Sequence, residues 1–355
     1  MPTISPRDTV LVTGANGFIG QWAVRELLQR GYAVHGAVRT TEKAQALTAW
    51  IAEGLPAYTS RFKTFVVPDI AKDGAFDEAI AGVQGVIHAA SPVTHWIEEL
   101  EPYIIPAVNG TTGILKSAQS AQTSSTVKRI VITGSTANMA NTFAPARTYT
   151  EADWNESVIG TIEREGKAAP GAIKYDASKT MAEKAAWKFM EENKDSFSFD
   201  LSVVSPSWAF GPIADETTPS PDAMTSTAGM LYKILFMVPP LGPYPDCYFN
   251  YVDVRDSVDM QIKALEVEAA GGERIISNSH LITWAECVEA VNVLGVLPGF
   301  SKIERHFKRE YPPAPYFSNE KAIRIFGIRL RTIQDTLKDI VEQWKSLGWL
   351  KHLEA

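Results

Sequence analysis

The stretch that most constrains this chain is Val10-Leu11-Val12-Thr13-Gly14-Ala15-Asn16-Gly17-Phe18-Ile19-Gly20, an apolar run ending in three glycines spaced three apart. Beyond it, Trp22, Val24, Leu27 and Leu28 recur at helical spacing until Gly31 closes the pattern. A strand, a glycine turn and a helix start, in that order, form a cradle for a phosphate. Glycine permits a tight turn and close backbone approach to an anion, and the amides at the helix N-terminus face its negative charge. The competing reading is a Gly-rich turn with no ligand; the strand and helix flanking these glycines argue against it.

Strand and helix signals go on alternating after this unit. Runs at 33–39, 62–67, 83–90, 127–133 and 201–205 are short, rich in valine and isoleucine, and continuous rather than alternating. Strands buried on both faces of a parallel sheet have that pattern. Helical candidates lie between them at 74–81, 103–121 and 175–193. The expected fold class is α/β, a Rossmann-type doubly wound parallel sheet with its ligand beyond the carboxyl ends of the strands.

From Gly211 the composition changes. Gly211-Pro212, Thr218-Pro219, Ser220-Pro221, Pro239-Pro240 and Gly242-Pro243 interrupt any long element. Strand signals return at 248–254 and 274–277, and 334–349 has the pattern of an amphipathic helix with Ile340, Val341, Trp344 and Leu347 on its apolar side. Residues 1–210 are thus expected to form mainly the dinucleotide-binding domain, with strands returning near 248–256 and 273–279. Residues 211–247 and 280–355 are expected to form a smaller, discontinuous substrate domain over the ligand edge. The methionines of 224–237 suit a lid or ordinary domain packing.

Bulk properties narrow the partners. A net charge of −7 over 355 residues argues against nucleic acid or an anionic membrane surface. No apolar run reaches membrane-spanning length, and no basic start followed by an apolar stretch marks a secretory leader. Cys247 and Cys287 are too few for a disulfide framework, and the six histidines show no ligand spacing, so no metal is expected. Two glycosylation-type triplets, at Asn109 and Asn155, are taken as chance. The expected setting is a reducing, cytoplasmic compartment, with the protein a monomer or homodimer.

The second strand ends Gly36-Ala37-Val38-Arg39, with Lys43 four residues on. An acid here would accept hydrogen bonds from the ribose hydroxyls of NAD, whereas a guanidinium grips a 2′-phosphate bidentately. Two bases, and no acid from 36 to 41, point to NADP. Glu42 is the one nearby acid, expected to face solvent or pair with a base. A solvated arginine at a strand end is the plainer alternative.

Tyr175 and Lys179 fall one turn apart on a helical pattern. A phenol with a pKa of about 10 exchanges its proton poorly near neutrality, and a neighbouring cation stabilises the phenolate. The spacing alone is commonplace. Ser135, just past the apolar run Val131-Ile132-Thr133, adds a hydroxyl at the sheet edge that can donate to a developing oxyanion. A turn cap is its plainer role. Serine, tyrosine and lysine in this order after a dinucleotide cradle are far more specific than any one of them.

With these residues in view, the sequence resembles the extended short-chain dehydrogenases/reductases, and within them the branch of fungal and plant carbonyl reductases. Thr13-Gly14-Ala15-Asn16-Gly17-Phe18-Ile19-Gly20 is similar to their cofactor motif, and Ser135, Tyr175 and Lys179 match their catalytic residues. Further likeness lies in Val66-Val67-Pro68-Asp69-Ile70, His88-Ala89-Ala90-Ser91-Pro92, Ala185-Ala186-Trp187 and Tyr251-Val252-Asp253-Val254-Arg255-Asp256. The resemblance is strong from about residue 9 to 265 and weaker beyond.

It implies that Gly14, Asn16, Gly17, Phe18, Ile19 and Gly20 hold the pyrophosphate and that Arg39 and Lys43 take the 2′-phosphate. Asp69 and Ile70 would flank the adenine, and Ala89, Ala90 and Ser91 would pass beneath the ribose. Lys179 would also bind the nicotinamide ribose, with Pro206 beside the carboxamide. Gly134 departs from the family, which usually has a second serine there. Asn109 resembles the family's asparagine on the helix after the fourth strand, with a structural bond an equal alternative. Val93, Trp96, Trp208 and Phe210 are candidates for the substrate pocket wall, although aromatics are more often core.

Three functions follow. The first is an NADPH-dependent carbonyl reductase acting on aldehydes, ketones or ketoesters, its only expected partner the small-molecule carbonyl substrate. The second is a sugar-nucleotide epimerase or dehydratase on the same scaffold; these generally use NAD, so Arg39 counts against it. The third is a non-catalytic NADP-sensing protein; such relatives tend to lack the tyrosine.

Overall fold

The computed structural model describes residues 3–91, 101–120, 127–141, 144–224, 226–237, 248–295 and 313–353. Its strands are β1 (Thr9–Thr13), β2 (Ala33–Val38), β3 (Phe62–Val66), β4 (Gly85–His88), β5 (Arg129–Thr133), β6 (Thr148–Tyr149), β7 (Asp200–Pro206), β8 (Trp208–Phe210), β9 (Tyr248–Asp253), β10 (Arg274–Ser277), β11 (His280–Thr283) and β12 (Tyr316–Phe317). Seven of them form one sheet in the order β3-β2-β1-β4-β5-β7-β10, and every pairing in it is parallel. This is the doubly wound sheet that the apolar runs predict.

Helices cover both faces. On one lie α1 (Phe18–Gln29), α2 (Thr41–Gly54) and, much later in the chain, a helix at Val254–Glu266; on the other lie α3 (Asp77–Ile80), α4 (Glu101–Ser120) and a long helix at Gly171–Glu192. β1 shows why its sequence is apolar throughout. Val10 and Val12 pack toward α1, Leu11 packs toward α4, and all three are fully buried. Period-two alternation thus serves two cores at once. Between β5 and the long helix comes α5 (Glu156–Glu165), so that helix is α6.

Much of the remainder builds a further core beside these two. α7 (Ser226–Phe236), α8 (the Val254–Glu266 helix), α9 (Trp284–Leu294), α10 (Glu320–Phe326) and α11 (Ile333–Ser346) are the other α-helices among the described residues. α7, α9 and α11 bury Leu231, Phe236, Cys287, Val288, Ile340, Val341 and Trp344 together. A capping box of Thr332 and Asp335 starts α11, which supplies the expected amphipathic tail. Residues 248–253 join β8 and β11 in a separate three-stranded sheet rather than the central one, whereas β10 does return to the edge beside β7. Among the described residues, no helix is long and apolar enough to cross a membrane.

Sheet order reverses at β1, which has β2 on one side and β4 on the other. A crevice opens beyond the strand ends at such a switch point, and ligands bind there.

Candidate active site

At that switch point the glycine turn meets the segment after β4. Gly14 has φ +65°, and a Cβ on it would stand 2.9 Å from the Ala90 amide nitrogen. Thr13 Oγ1 accepts the Ala90 N–H at 3.1 Å and is hydrogen-bonded to His88 Nδ1 at 2.9 Å, tying the two strand ends together. Gly20 packs on the turn so closely that a Cβ would lie 2.2 Å from the Gly14 carbonyl oxygen. Gly17 precedes α1 with no side-chain cap, and the first turn of α1 carries no acid. The leading amides of α1 are therefore set for an anion. Asn16 and Ile19 are half-buried at the turn, while the Phe18 ring is buried in the core. A dinucleotide pyrophosphate fits these residues.

The crevice past β2 is exposed and basic. Arg39 and Lys43 both reach solvent just past β2. Thr40 between them starts α2 and accepts the Lys43 N–H at 3.4 Å. Glu42 is exposed, and a hydrogen bond from the Thr40 side chain draws its carboxyl below the usual range. Asp69 is exposed, its Oδ1 accepting the Ala71 N–H at 2.9 Å. Ile70 is half-buried against α4, where a Cβ on Gly110 would meet its Cδ1 at 2.7 Å. Ala89, Ala90 and Ser91 are half-buried after β4.

The catalytic candidates lie where β5 meets α6. Lys179 Nζ donates to the Thr133 carbonyl at 3.0 Å. Ser135 is half-buried two residues further along, its Oγ accepting the Ala137 N–H at 3.2 Å to cap the short turn Thr136–Asn138. The cap occupies a lone pair and leaves the hydroxyl proton to donate. Tyr175 is half-buried one turn before Lys179, and Ser178 Oγ donates to its carbonyl at 2.7 Å. Burial pushes the Lys179 ammonium down to about 8, against an opposing pull from the Glu183 charge. Burial, and then the Lys179 charge, push His88 down to about 3, so its ring is neutral. Next to Tyr175, burial raises the Asp176 carboxyl to about 7.

Behind Lys179 lies a small polar cavity lined by His88, Thr111, Thr133, Asn138 and Glu183 among others. His88 Nε2 and Asn138 Oδ1 are buried without a hydrogen-bond partner among the described residues. Reading the sequence one motif at a time missed Glu183 and Asn138, although each stands a short step from a candidate: Glu183 four residues after Lys179, Asn138 three after Ser135. Asn109 is exposed on α4, and Thr111 lines the cavity instead. The departure at Gly134 also has a physical reason. A Cβ there would lie 2.4 Å from Ser205 Oγ and 2.8 Å from Val203 Cγ1, so the neighbouring strand already fills that space.

Pro206 ends β7 opposite Ser277. Trp208 is 37% exposed and rests on Phe249 and Trp284, with ring centroids at 5.8 and 6.4 Å. Phe210 is fully buried among the same rings, behind Trp208. Val93 and Trp96 lie outside the described residues. Among those described, no group of three or more His, Cys, Asp or Glu side chains converges as a metal site requires.

Comparison with known proteins agrees with this geometry. Residues 10–278 match the NAD dependent epimerase/dehydratase family. The chain is 32% identical over 346 residues to the NADPH-dependent methylglyoxal reductase GRE2 of Saccharomyces cerevisiae, covering 94% of this chain and 97% of the relative. It is also 32% identical over 351 residues to aldehyde reductase 2 of Sporidiobolus salmonicolor, covering 94% of each. The crystal structure of yeast methylglyoxal/isovaleraldehyde reductase Gre2 complexed with NADPH superimposes with a TM-score of 0.83 at 30% identity, over 96% of this chain and 99% of that one. The chain therefore belongs to the NAD dependent epimerase/dehydratase family, the extended short-chain dehydrogenases/reductases.

Proposed function

We propose that this protein is an NADPH-dependent carbonyl reductase, converting aldehydes, ketones or ketoesters into alcohols. Its strongest support is the bond from Lys179 to the Thr133 carbonyl. That bond ties the strand leading to Ser135 to the helix carrying Tyr175, at the edge of a cradle fit for a dinucleotide. Bound NADPH supplies hydride to the carbonyl carbon. Ser135 donates its hydroxyl hydrogen to the carbonyl oxygen as charge grows there. Tyr175 passes its phenolic proton to that oxygen, and the Lys179 ammonium stabilises the phenolate left behind.

Arg39 and Lys43 select NADPH through its 2′-phosphate, with no acid from 36 to 41 to repel it. Trp208 forms part of the wall against which the substrate lies. The names of the relatives support both halves of the proposal, reductase activity and NADPH. The protein works in the cytoplasm, as a monomer or homodimer.

NADPH oxidation measured against a panel of aldehydes, ketones and ketoesters tests this, with Tyr175→Phe as the decisive variant. That substitution should keep NADPH affinity and cost at least ~100-fold in turnover. Turnover retained by the variant, or failure of the wild type to bind NADPH, overturns the proposal.

A further inference from the structure

We propose that Glu183 is a positioning residue for this reaction: its buried carboxylate straps the turn bearing Ser135 onto the helix bearing Tyr175 and Lys179, and supplies the counter-charge one helical turn behind the Lys179 ammonium. This rests on the carbonyl-reductase function proposed above.

Glu183 is 2% exposed, so its charge must be met inside the protein. Oε2 accepts from Asn138 Nδ2, and from Arg274 Nη2 at 3.4 Å. Oε1 accepts from Arg274 Nε at 2.6 Å and from Trp187 Nε1 at 3.1 Å. Asn138 closes the short turn that Ser135 opens. Its N–H donates to the Ser135 carbonyl at 3.0 Å, and its own carbonyl accepts the Asn155 N–H at 2.8 Å. Arg274 is anchored in turn: Nη1 donates to the Glu151 and Asp153 carbonyls at 2.5 and 2.8 Å, and the guanidinium lies 3.6 Å from the Trp154 ring centroid. One carboxylate therefore joins β10, α6 and the turn of Ser135.

A strut needed only for folding could sit anywhere along the 22 residues of α6. This one stands one turn from Lys179, and both side chains line the same cavity. Several groups face Lys179 there. Glu183 comes from its own helix, the neutral His88 from β4, the Thr133 carbonyl from β5, Asn138 from the turn and Thr111 from α4. Arg274 pairs with the Glu183 carboxylate and does not line the cavity. Glu183 is the only acid among the described residues lining the cavity. Without it, the ammonium would face a neutral imidazole, a backbone carbonyl, an amide and a hydroxyl.

Glu183→Gln keeps the shape and removes the charge. Turning over the Asn138 amide would present Oδ1, now without a partner among the described residues, to the new side-chain amide. The first readout needs neither cofactor nor substrate: lysine side-chain NMR titration of the free protein, with Lys179→Met assigning the signal. The Lys179 midpoint should fall by about one pH unit or more in Glu183→Gln and recover in Glu183→Asp. The alkaline limb of kcat should move with it. Asn138→Ala cuts the strap but keeps the charge, so kcat should drop roughly tenfold with the Lys179 titration unmoved.

An unshifted Lys179 midpoint in Glu183→Gln overturns the counter-charge role. If kcat in the Gln, Asp and Asn138→Ala variants merely tracks loss of folded protein, the positioning role falls. Turnover by Tyr175→Phe would instead sink the carbonyl-reductase assignment, leaving the charge coupling between Glu183 and Lys179 to be read from the titration.

Discussion

Alanine at Gly17 and at Gly20 should give two different failures of the same cradle. At Gly20 the added Cβ would lie 2.2 Å from the Gly14 carbonyl oxygen and 2.9 Å from Ala15 Cα, both backbone atoms. An ordinary carbon–oxygen contact is about 3.3 Å, so α1 must move off the turn by about 1 Å. Overpacking of this kind costs about 1–3 kcal/mol, partly offset by the ~1 kcal/mol that alanine gains over glycine inside a helix. The net loss is at most about 2 kcal/mol, or a few degrees in Tm. The displacement also misaims the amides of α1, and an ångström of misplacement can cost ~100-fold. At Gly17 the nearest atom to a Cβ is again the Gly14 carbonyl oxygen, but at 3.2 Å, which a small shift relieves. Gly17→Ala should therefore leave Tm nearly unchanged and weaken NADPH, because the methyl projects where the pyrophosphate approaches the backbone. Thermal melts and NADPH fluorescence titrations separate the cases. Wild-type NADPH affinity in Gly20→Ala would refute the packing argument, and wild-type affinity in Gly17→Ala would refute the site of the pyrophosphate.

Three other outcomes follow from named contacts. Arg39→Ala should weaken NADPH by ~10–100-fold while leaving NADH within a few-fold, because only the 2′-phosphate loses a charge-assisted partner; equal losses in paired titrations would move the phosphate elsewhere. Gly134→Ser should lower stability by about 1–3 kcal/mol through its collision with Ser205 and Val203, with Ser205→Gly giving part of it back, and an unchanged Tm would contradict the clash. Asp176→Asn should stabilise the protein at pH 8 but not at pH 4. The folded-state carboxyl titrates near 7, well above its ordinary value, so stability is lost as pH rises from about 4 through 7. With partial solvent screening the gain is about 1–2 kcal/mol, and melts showing no pH-dependent difference would count against that burial penalty.

The sequence made the cradle legible because its information is local. Three glycines, an apolar strand before them and a helical pattern after them stand within twenty-odd residues, and each has its meaning without distant partners. The central strands were legible for the same reason: burial on both faces leaves a continuous apolar run. Sheet membership was less so. Residues 248–253 have the same strand pattern whichever sheet they join, and pairing with β8 and β11 is decided by tertiary contacts. Glycine at 134 makes sense only beside Ser205, which β7 delivers from seventy-one positions away. Glu183 was hidden likewise, since Asn138 and Arg274 lie 45 and 91 positions from it.

The site divides its work between two kinds of support, and this makes its failures separable. The cradle is held by backbone packed on backbone, with Gly14 against Ala90 and Gly20 against Gly14, so its tolerance for added atoms is close to nil. The reactive end is held by charges and hydrogen bonds between side chains: Lys179 on Thr133, and Glu183 between Asn138 and Arg274. Steric support responds to volume and scarcely to pH. Ionic support responds to pH and to loss of charge even where shape is kept, as in Glu183→Gln. Cradle variants should therefore lose NADPH affinity at every pH. Variants of the ionic cluster should bind NADPH normally at low pH and lose turnover as the Lys179 ammonium deprotonates. If cradle variants instead showed a shifted alkaline limb with NADPH affinity intact, the two ends of the site would be mechanically coupled through β1 and β4, with the Thr13–His88 hydrogen bond as the connecting link.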